Sequence, residues 1–87
     1  MTTIIDSPVE TIFGLPWTNH RNFYWEVRTP VLLFTILRAG PSYRQWIGYI
    51  AAPTKDGGWK TFHSTTRRRT MDSVAIALED HVRQMMR

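Results

Sequence analysis

Apolar residues near the carboxyl end of the chain recur every three or four positions, which is the period of an amphipathic helix. These residues are Met71, Val74, Ala75, Leu78, Val82, Met85 and Met86. Thr70 is of a residue type that caps helices, and Asp72 suits the positive end of the helix dipole. The pattern therefore predicts a helix over residues 71–86 and leaves Ile76 on its polar side.

The middle of the chain alternates between apolar and polar residues, which is typical of β-strands. The alternation predicts strands over residues 23–28, 31–38, 43–52 and 59–63. Turn-forming residues separate these strands, most clearly the Lys-Asp-Gly-Gly segment at 55–58. We expect the strands to pair antiparallel, because such short turns join neighbouring antiparallel strands.

The amino-terminal segment has the features of a short helix. Ser7 and Glu10 form a capping-box pattern, and the proline between them suits the first helical position. Gly14 is a residue that ends helices. We expect a helix over residues 8–13, followed by a polar turn at 18–22.

The order of these elements predicts the fold. A sheet has to bury one face, and the carboxyl-terminal helix is the cover that the chain offers. We therefore expect a two-layer α+β fold, in which an antiparallel sheet of three to four strands is packed by one long C-terminal helix, with a short N-terminal helix. Residues 1–87 are expected to form a single domain.

Composition narrows the class of protein. The 87 residues include no cysteine, which excludes disulfides and thiolate metal sites. The longest apolar run, residues 31–37, is far shorter than the roughly 20 residues of a membrane span. The first ten residues have neither the basic nor the apolar region of a signal peptide. We expect a cytoplasmic protein that binds no membrane.

Positive charge is concentrated in the middle of the chain. The formal net charge is +4, and nine arginines stand against two lysines. Residues 21–69 carry most of these cations, whereas residues 1–20 carry none. Arginine presents a planar fork that suits phosphate, carboxylate and aromatic rings. The excess of positive charge, most of it from arginine, favours an anionic partner. The alternative is a compositional bias toward arginine.

Three consecutive arginines, Arg67, Arg68 and Arg69, stand just before the predicted helix. A helix amino terminus carries unpaired N–H groups and partial positive charge, so arginines are disfavoured there unless an anion lies between them. One hypothesis is a phosphate site on which the guanidinium groups and the N–H groups of residues 71–73 converge. The alternative is a turn whose arginines point into water, with Asp72 occupying the N–H groups.

Aromatic residues alternate with cations at Tyr43-Arg44-Gln45-Trp46 and at Trp59-Lys60-Thr61-Phe62. Exposed rings beside arginine or lysine form a platform on which single-stranded bases stack. The alternative is that both tryptophans and Phe62 are the core beneath the helix. Alternation forbids the rings from sharing one face, so some are expected on the side away from the helix. The candidates for that side are Tyr24, Tyr43, Tyr49 and Trp46.

The chain carries no recognisable catalytic motif. His20, His63 and His81 lack the spacing of metal ligands, and there is no glycine-rich phosphate loop or nucleophile elbow. A metal-independent ribonuclease built from His63, an arginine and a tyrosine is conceivable, but no spacing supports it. We expect no enzymatic activity, no cofactor and no metal.

The hairpin-then-helix ending, WKTFHSTTRRRTMDSVAIALEDH, resembles the three-stranded-sheet-plus-helix domains of phage integrase arms and AP2-type DNA binders. The resemblance covers roughly residues 43–86 and is one of element order. It implies a sheet that enters the major groove and a helix that backs it. In its small size and single domain, the chain is also similar to accessory proteins of phages and mobile elements, some of which inhibit host nucleoprotein defence complexes.

These observations predict a small, non-enzymatic basic module that binds nucleic acid or a nucleoprotein complex. The alternative is a phage or mobile-element inhibitor, of anti-CRISPR or anti-restriction type, that binds an acidic patch on a host nucleic-acid-handling protein. A homodimer is compatible with either function. The predicted contact residues are Arg28, Arg38, Tyr43, Arg44, Tyr49, Lys55, Lys60, Arg67, Arg68 and Arg69.

Overall fold

The computed structural model describes residue 8, residues 10–40 and residues 44–86. Over these residues, five strands form one antiparallel sheet in chain order, and one helix follows them. The elements are β1 (Thr18–His20), β2 (Tyr24–Arg28), β3 (Leu33–Ala39), β4 (Gln45–Pro53), β5 (Trp59–Ser64) and α1 (Met71–Met85). The predicted α+β class is confirmed, but the sheet has five strands where three to four were expected.

Helix α1 covers one face of the sheet, which we call the helix face. Gly48 of β4 marks the contact, because a Cβ atom placed there would lie 2.5 Å from Cγ1 of Val74 and 2.8 Å from Cδ1 of Leu78. A glycine at this position lets the helix approach the sheet closely. The buried apolar residues of the two layers are Trp25, Val27, Phe34, Ile36, Trp46, Ile50, Met71, Val74, Ala75, Leu78 and Val82.

The helix predicted over residues 8–13 is wrong for the part of the segment that the structure describes. Ile12 and Leu15 instead form a β-bridge, with N···O distances of 3.1 and 2.8 Å. Phe13 and Gly14 make the tight turn between them and have φ angles of 49° and 79°. The turn places Ile12 in the core, where it is fully buried.

The amino-terminal segment also forms hydrogen bonds to α1. The N–H of Phe13 donates to Oε1 of Glu79 at 2.6 Å, and the N–H of Glu10 donates to Oδ1 of Asp72 at 3.0 Å. A helix this short would leave most of its terminal N–H groups unpaired, so carboxylates from α1 are better partners. The expected capping residue, Ser7, lies outside the described residues.

Strand β1 occupies the first three residues of the turn predicted at 18–22, and residues 21 and 22 do form a turn. The side chain of Asn19 holds its hairpin with β2: Oδ1 accepts from the N–H of Asn22 at 2.7 Å, and Nδ2 donates to Oδ1 of Asn22 at 2.7 Å. Three polar residues show no alternation, so no pattern in the chain indicates this strand. The edge depends on side-chain hydrogen bonds rather than on burial.

Helix α1 begins as predicted, since the hydroxyl of Thr70 accepts from the N–H of Ser73 at 3.1 Å. Its apolar stripe is buried only as far as Val82. Met85 and Met86, which belong to the same stripe, are 54% and 78% exposed. Burial requires a partner across the interface as well as the right period, and α1 packs on β4 and β3. Over the described residues, no helix has the length and apolar character that crossing a bilayer requires.

Candidate functional site

The register of the sheet brings arginines from three parts of the chain to one end. Arg38 of β3 pairs with Trp46 of β4, and Trp46 forms a β-bridge with Arg68 on its other side. Arg44 lies just before β4 and therefore at the same end. We call this set the basic end. Its members are Arg38, Arg44, Arg67, Arg68 and Arg69.

The arginine run is fixed to the sheet by backbone hydrogen bonds. The N–H of Trp46 donates to the carbonyl of Arg68 at 2.7 Å, and the N–H of Arg68 donates to the carbonyl of Trp46 at 2.8 Å. Nearby, the hydroxyl of the buried Thr65 accepts from the N–H of Gly48 at 3.0 Å. The segment between β5 and α1 thus continues along the edge of β4, and it is not a free turn.

The three arginine side chains have different surroundings. Arg67 and Arg69 are exposed, whereas Arg68 is partly buried and donates from a terminal nitrogen to Oγ of Ser73 at 3.1 Å. The Nε of Arg68 is buried and has no hydrogen-bond partner among the described residues. The N–H of Ser73 is bonded to the hydroxyl of Thr70. Two guanidinium groups are therefore open to an anion, and the third is held by the helix.

Arg38 is held against the ring of Trp46, with 4.5 Å between the guanidinium carbon and the ring centroid. This cation–π contact restricts an otherwise mobile side chain. Trp46 itself is buried and packs edge-on against Trp25 at 5.3 Å between ring centroids. For Trp46, the alternative of a core position is therefore correct, and the ring serves as a base for Arg38.

The other predicted contact residues lie elsewhere. Arg28 ends β2, Lys55 lies in the turn between β4 and β5, and Lys60 is near the start of β5. Register places these three cations at the opposite end of the sheet from the basic end, and we call them the distal end. Tyr49 lies mid-sheet on the face away from α1, and Tyr43 lies outside the described residues. The nine described members of the predicted set therefore do not form one surface.

The face of the sheet away from α1, which we call the open face, carries both apolar and polar side chains. Its apolar members include Tyr24, Leu33, Leu37, Ile47, Tyr49 and Trp59, and its polar members include Glu26, Arg28, Thr35 and Gln45. Tyr24 and Tyr49 are thus where the alternation placed candidates, and Trp46 is not. Arg28 lies 3.6 Å from the carboxylate of Glu26 and 5.8 Å from the ring of Trp59. The open face, which would enter a major groove by analogy with AP2-type binders, carries few cations.

His63 of β5 and His81 of α1 stack face to face, with ring centroids 3.5 Å apart. Burial lowers the pKa of His63, and the neighbouring charge of His81 lowers this pKa further. Both rings line a cleft of about 350 Å³ that also contains Arg68 and Asp80. Among the described residues that line this cleft there is no tyrosine. The stack fits a packing contact between β5 and α1.

The predicted contact set missed the turn between β1 and β2. Arg21 and Asn22 have φ angles of 55° and 60°, and the N–H of Phe23 closes the turn on the carbonyl of His20 at 3.0 Å. Phe23 is 74% exposed and lies in this turn, although the strand was predicted to begin at residue 23. Asn22, Phe23, Leu37 and Arg38 line a cleft of about 470 Å³ beside the basic end.

No protein-family model, curated protein or solved structure matches the chain. The resemblance to integrase arms and AP2-type binders therefore remains one of element order. Function follows here from the chain's own geometry and charge.

Proposed function

We propose that the protein is a small, non-enzymatic module that binds nucleic acid, free or within a nucleoprotein complex, through the basic end. The observation that supports this most directly is the position of Trp46. One of its neighbours across the sheet is Arg38 and the other is Arg68, and each belongs to a different segment of the chain. Cations distant in sequence are thus presented side by side.

Fixed arginines suit phosphate better than mobile ones. The backbone pairing at Arg68 and the ring beneath Arg38 reduce the conformational freedom that binding would otherwise remove. Arg67 and Arg69 are exposed on either side of the anchored residue, where their planar forks are free to bond phosphate oxygens. The arrangement favours contact with a backbone of phosphates over recognition of a single anion.

Such contacts position a nucleic acid without specifying its sequence. The open face supplies little direct readout, since Glu26 lies within it beside its arginine. We therefore expect binding with little sequence preference and with a steep dependence on salt, because each neutralised phosphate releases counterions. The absence of cysteine supports a cytoplasmic location for this activity.

Direct binding tests the proposal. Fluorescence anisotropy is measured with labelled single-stranded and duplex DNA and RNA at low salt, and the titration is repeated as salt rises. The logarithm of the association constant is expected to fall linearly with the logarithm of salt concentration. Absence of binding to all four probes at low salt would reject the proposal.

A second candidate function is inhibition of a host nucleic-acid-handling complex through protein contacts, as in phage or mobile-element inhibitors of anti-CRISPR or anti-restriction type. The observation that favours it is the open face, where Leu37 and Ile47 lie beside Tyr24 and Tyr49 without a covering element among the described residues. Apolar faces of this kind mark protein contacts. The basic end would then meet an acidic patch. A pull-down whose partner survives nuclease treatment favours this function, and loss of every partner on nuclease treatment rejects it.

A further inference from the structure

We infer that the cleft between the β1–β2 turn and β3, lined by Asn22, Phe23, Leu37 and Arg38, binds an unstacked base of a single-stranded nucleic acid. The inference rests on the proposed function and specifies how one strand is held. It assigns the base contact to the β1–β2 turn and β3, outside the run of arginines at residues 67–69.

The cleft has the chemistry that an unstacked base requires. Phe23 and Leu37 supply an aromatic ring and an apolar wall, and base stacking on such rings tolerates any sequence. Oδ1 of Asn22 accepts from Asn19, which leaves Nδ2 of Asn22 without a hydrogen-bond partner among the described residues and able to donate to a base edge. The volume of about 470 Å³ is within the usual range for ligand sites.

The position of the cleft favours a nucleic acid over other apolar ligands. Arg38 lines the cleft and also belongs to the basic end, so a base in the cleft would be joined to phosphates at the arginines. Arg21 lies in the same turn and adds another cation at this end of the sheet. A neutral ligand would make no use of these charges.

The turn before Phe23 has a strained backbone, and Phe23 is exposed at its end. Positive φ at both central turn positions is adopted most readily by glycine, asparagine or aspartate, and arginine at 21 is costly there. Asn19 holds Asn22 in this conformation through two hydrogen bonds. The result is a phenylalanine that stays 74% exposed next to a cluster of cations. Strained backbone is often found at binding sites, and here it lies at Arg21, two residues before the exposed ring.

The test compares two single-stranded DNA probes with equal numbers of phosphates, one with normal bases and one with abasic sites throughout. Wild-type protein is expected to prefer the probe with bases. Phe23→Ala should lower affinity for that probe about 5-fold to 150-fold, the range for loss of one stacked base, with little change for the abasic probe. Phe23→Trp should retain the preference. Phe62→Ala, which removes a 44% exposed phenylalanine from β5, should leave both affinities unchanged.

The outcomes separate this inference from the proposed function. Equal binding of both probes by wild-type protein, or an unchanged preference in Phe23→Ala, would overturn the base site while leaving phosphate binding by the basic end in place. If wild-type protein binds neither probe at low salt, the base site is rejected, and the titrations with duplex DNA and with RNA decide whether the proposed function is rejected with it. Because Phe23 is exposed, the alanine variant is expected to unfold at the wild-type temperature, which circular dichroism checks.

Discussion

Trp46 and Arg68 exchange two backbone hydrogen bonds, of 2.7 and 2.8 Å, beyond the end of β5. This pair ties the arginine run to the sheet and sets its distance from Arg38 on the other side of Trp46. Arginines that are far apart in the chain lie side by side because β4 pairs with β3 on one edge and with Arg68 on the other. The stability of that pairing is therefore coupled to function.

Thr65 is the side chain that most directly supports this pairing. Its buried hydroxyl accepts from the N–H of Gly48 at 3.0 Å and donates to the carbonyl of Thr66 at 2.8 Å. Thr65→Val keeps the shape but leaves that N–H unpaired, so it should lower the free energy of unfolding by about 1–3 kcal/mol. Thr65→Ser retains the hydroxyl and should lose less. Equal stability of the valine variant and the wild type in urea unfolding would show that the hydroxyl contributes nothing.

Gly48 sets how closely α1 lies on the sheet. A methyl group there would meet Val74 and Leu78 at 2.5 and 2.8 Å, so Gly48→Ala should lower the free energy of unfolding by roughly 1–3 kcal/mol through overpacking. Gly58→Ala is the control, because its nearest neighbour atom lies at 3.3 Å. Thermal unfolding measures both variants. A larger loss at position 58 than at position 48 would contradict the packing described here.

We predict that replacing Arg21 relieves backbone strain but weakens binding. Glycine adopts positive φ at no steric cost, so Arg21→Gly is expected to maintain or raise the unfolding temperature. The same substitution removes a cation next to the basic end and should weaken binding to single-stranded DNA. Anisotropy and thermal unfolding are measured on one preparation. A less stable variant with unchanged affinity would argue against a functional reason for arginine in this turn.

His63 should make stability depend on pH. Because its pKa is lowered in the folded protein, the unfolded chain takes up a proton first as pH falls below the ordinary value of about 6.5. Stability should therefore fall from that pH down to the pKa of the folded protein and be fully present above about 6.5. NMR titration of the His63 ring measures this pKa, and His81→Gln should raise it part of the way, since burial persists. A midpoint at or above the ordinary histidine value would contradict the stacked pair.

The residues predict long, regular elements well and short ones poorly. Helix α1 is marked by its period and by the Thr70 cap, and β3 and β4 by their β-forming residues. Nothing local marks β1, which is held by the side chain of Asn19, or the turn that buries Ile12 in place of a short helix. In the first case the pairing of β1 with β2, and in the second the hydrogen bonds of residues 10 and 13 to α1, outweigh the local preference of the segment.

The candidate site is predictable in composition but not in arrangement. The chain itself indicates arginines and exposed rings, yet register alone separates the basic end from Arg28, Lys55 and Lys60. Alternation with Trp25 predicts a strand position for Phe23. Phe23 is exposed because the two turn residues before it have positive φ angles. Of these two residues, only Asn22 is of a type that favours positive φ.

The most direct measurement compares two double variants that each remove two positive charges from exposed residues. Arg67→Ala/Arg69→Ala alters the basic end, and Lys55→Ala/Lys60→Ala alters the distal end by the same net charge. Binding to single-stranded DNA is followed by anisotropy over a range of salt. The basic-end variant should bind more weakly, with a salt slope shallower by about one for each phosphate that it no longer neutralises, while the distal-end variant stays near wild type. Equal losses of affinity in the two variants, or an unchanged affinity in the basic-end variant, would contradict a binding surface at the basic end.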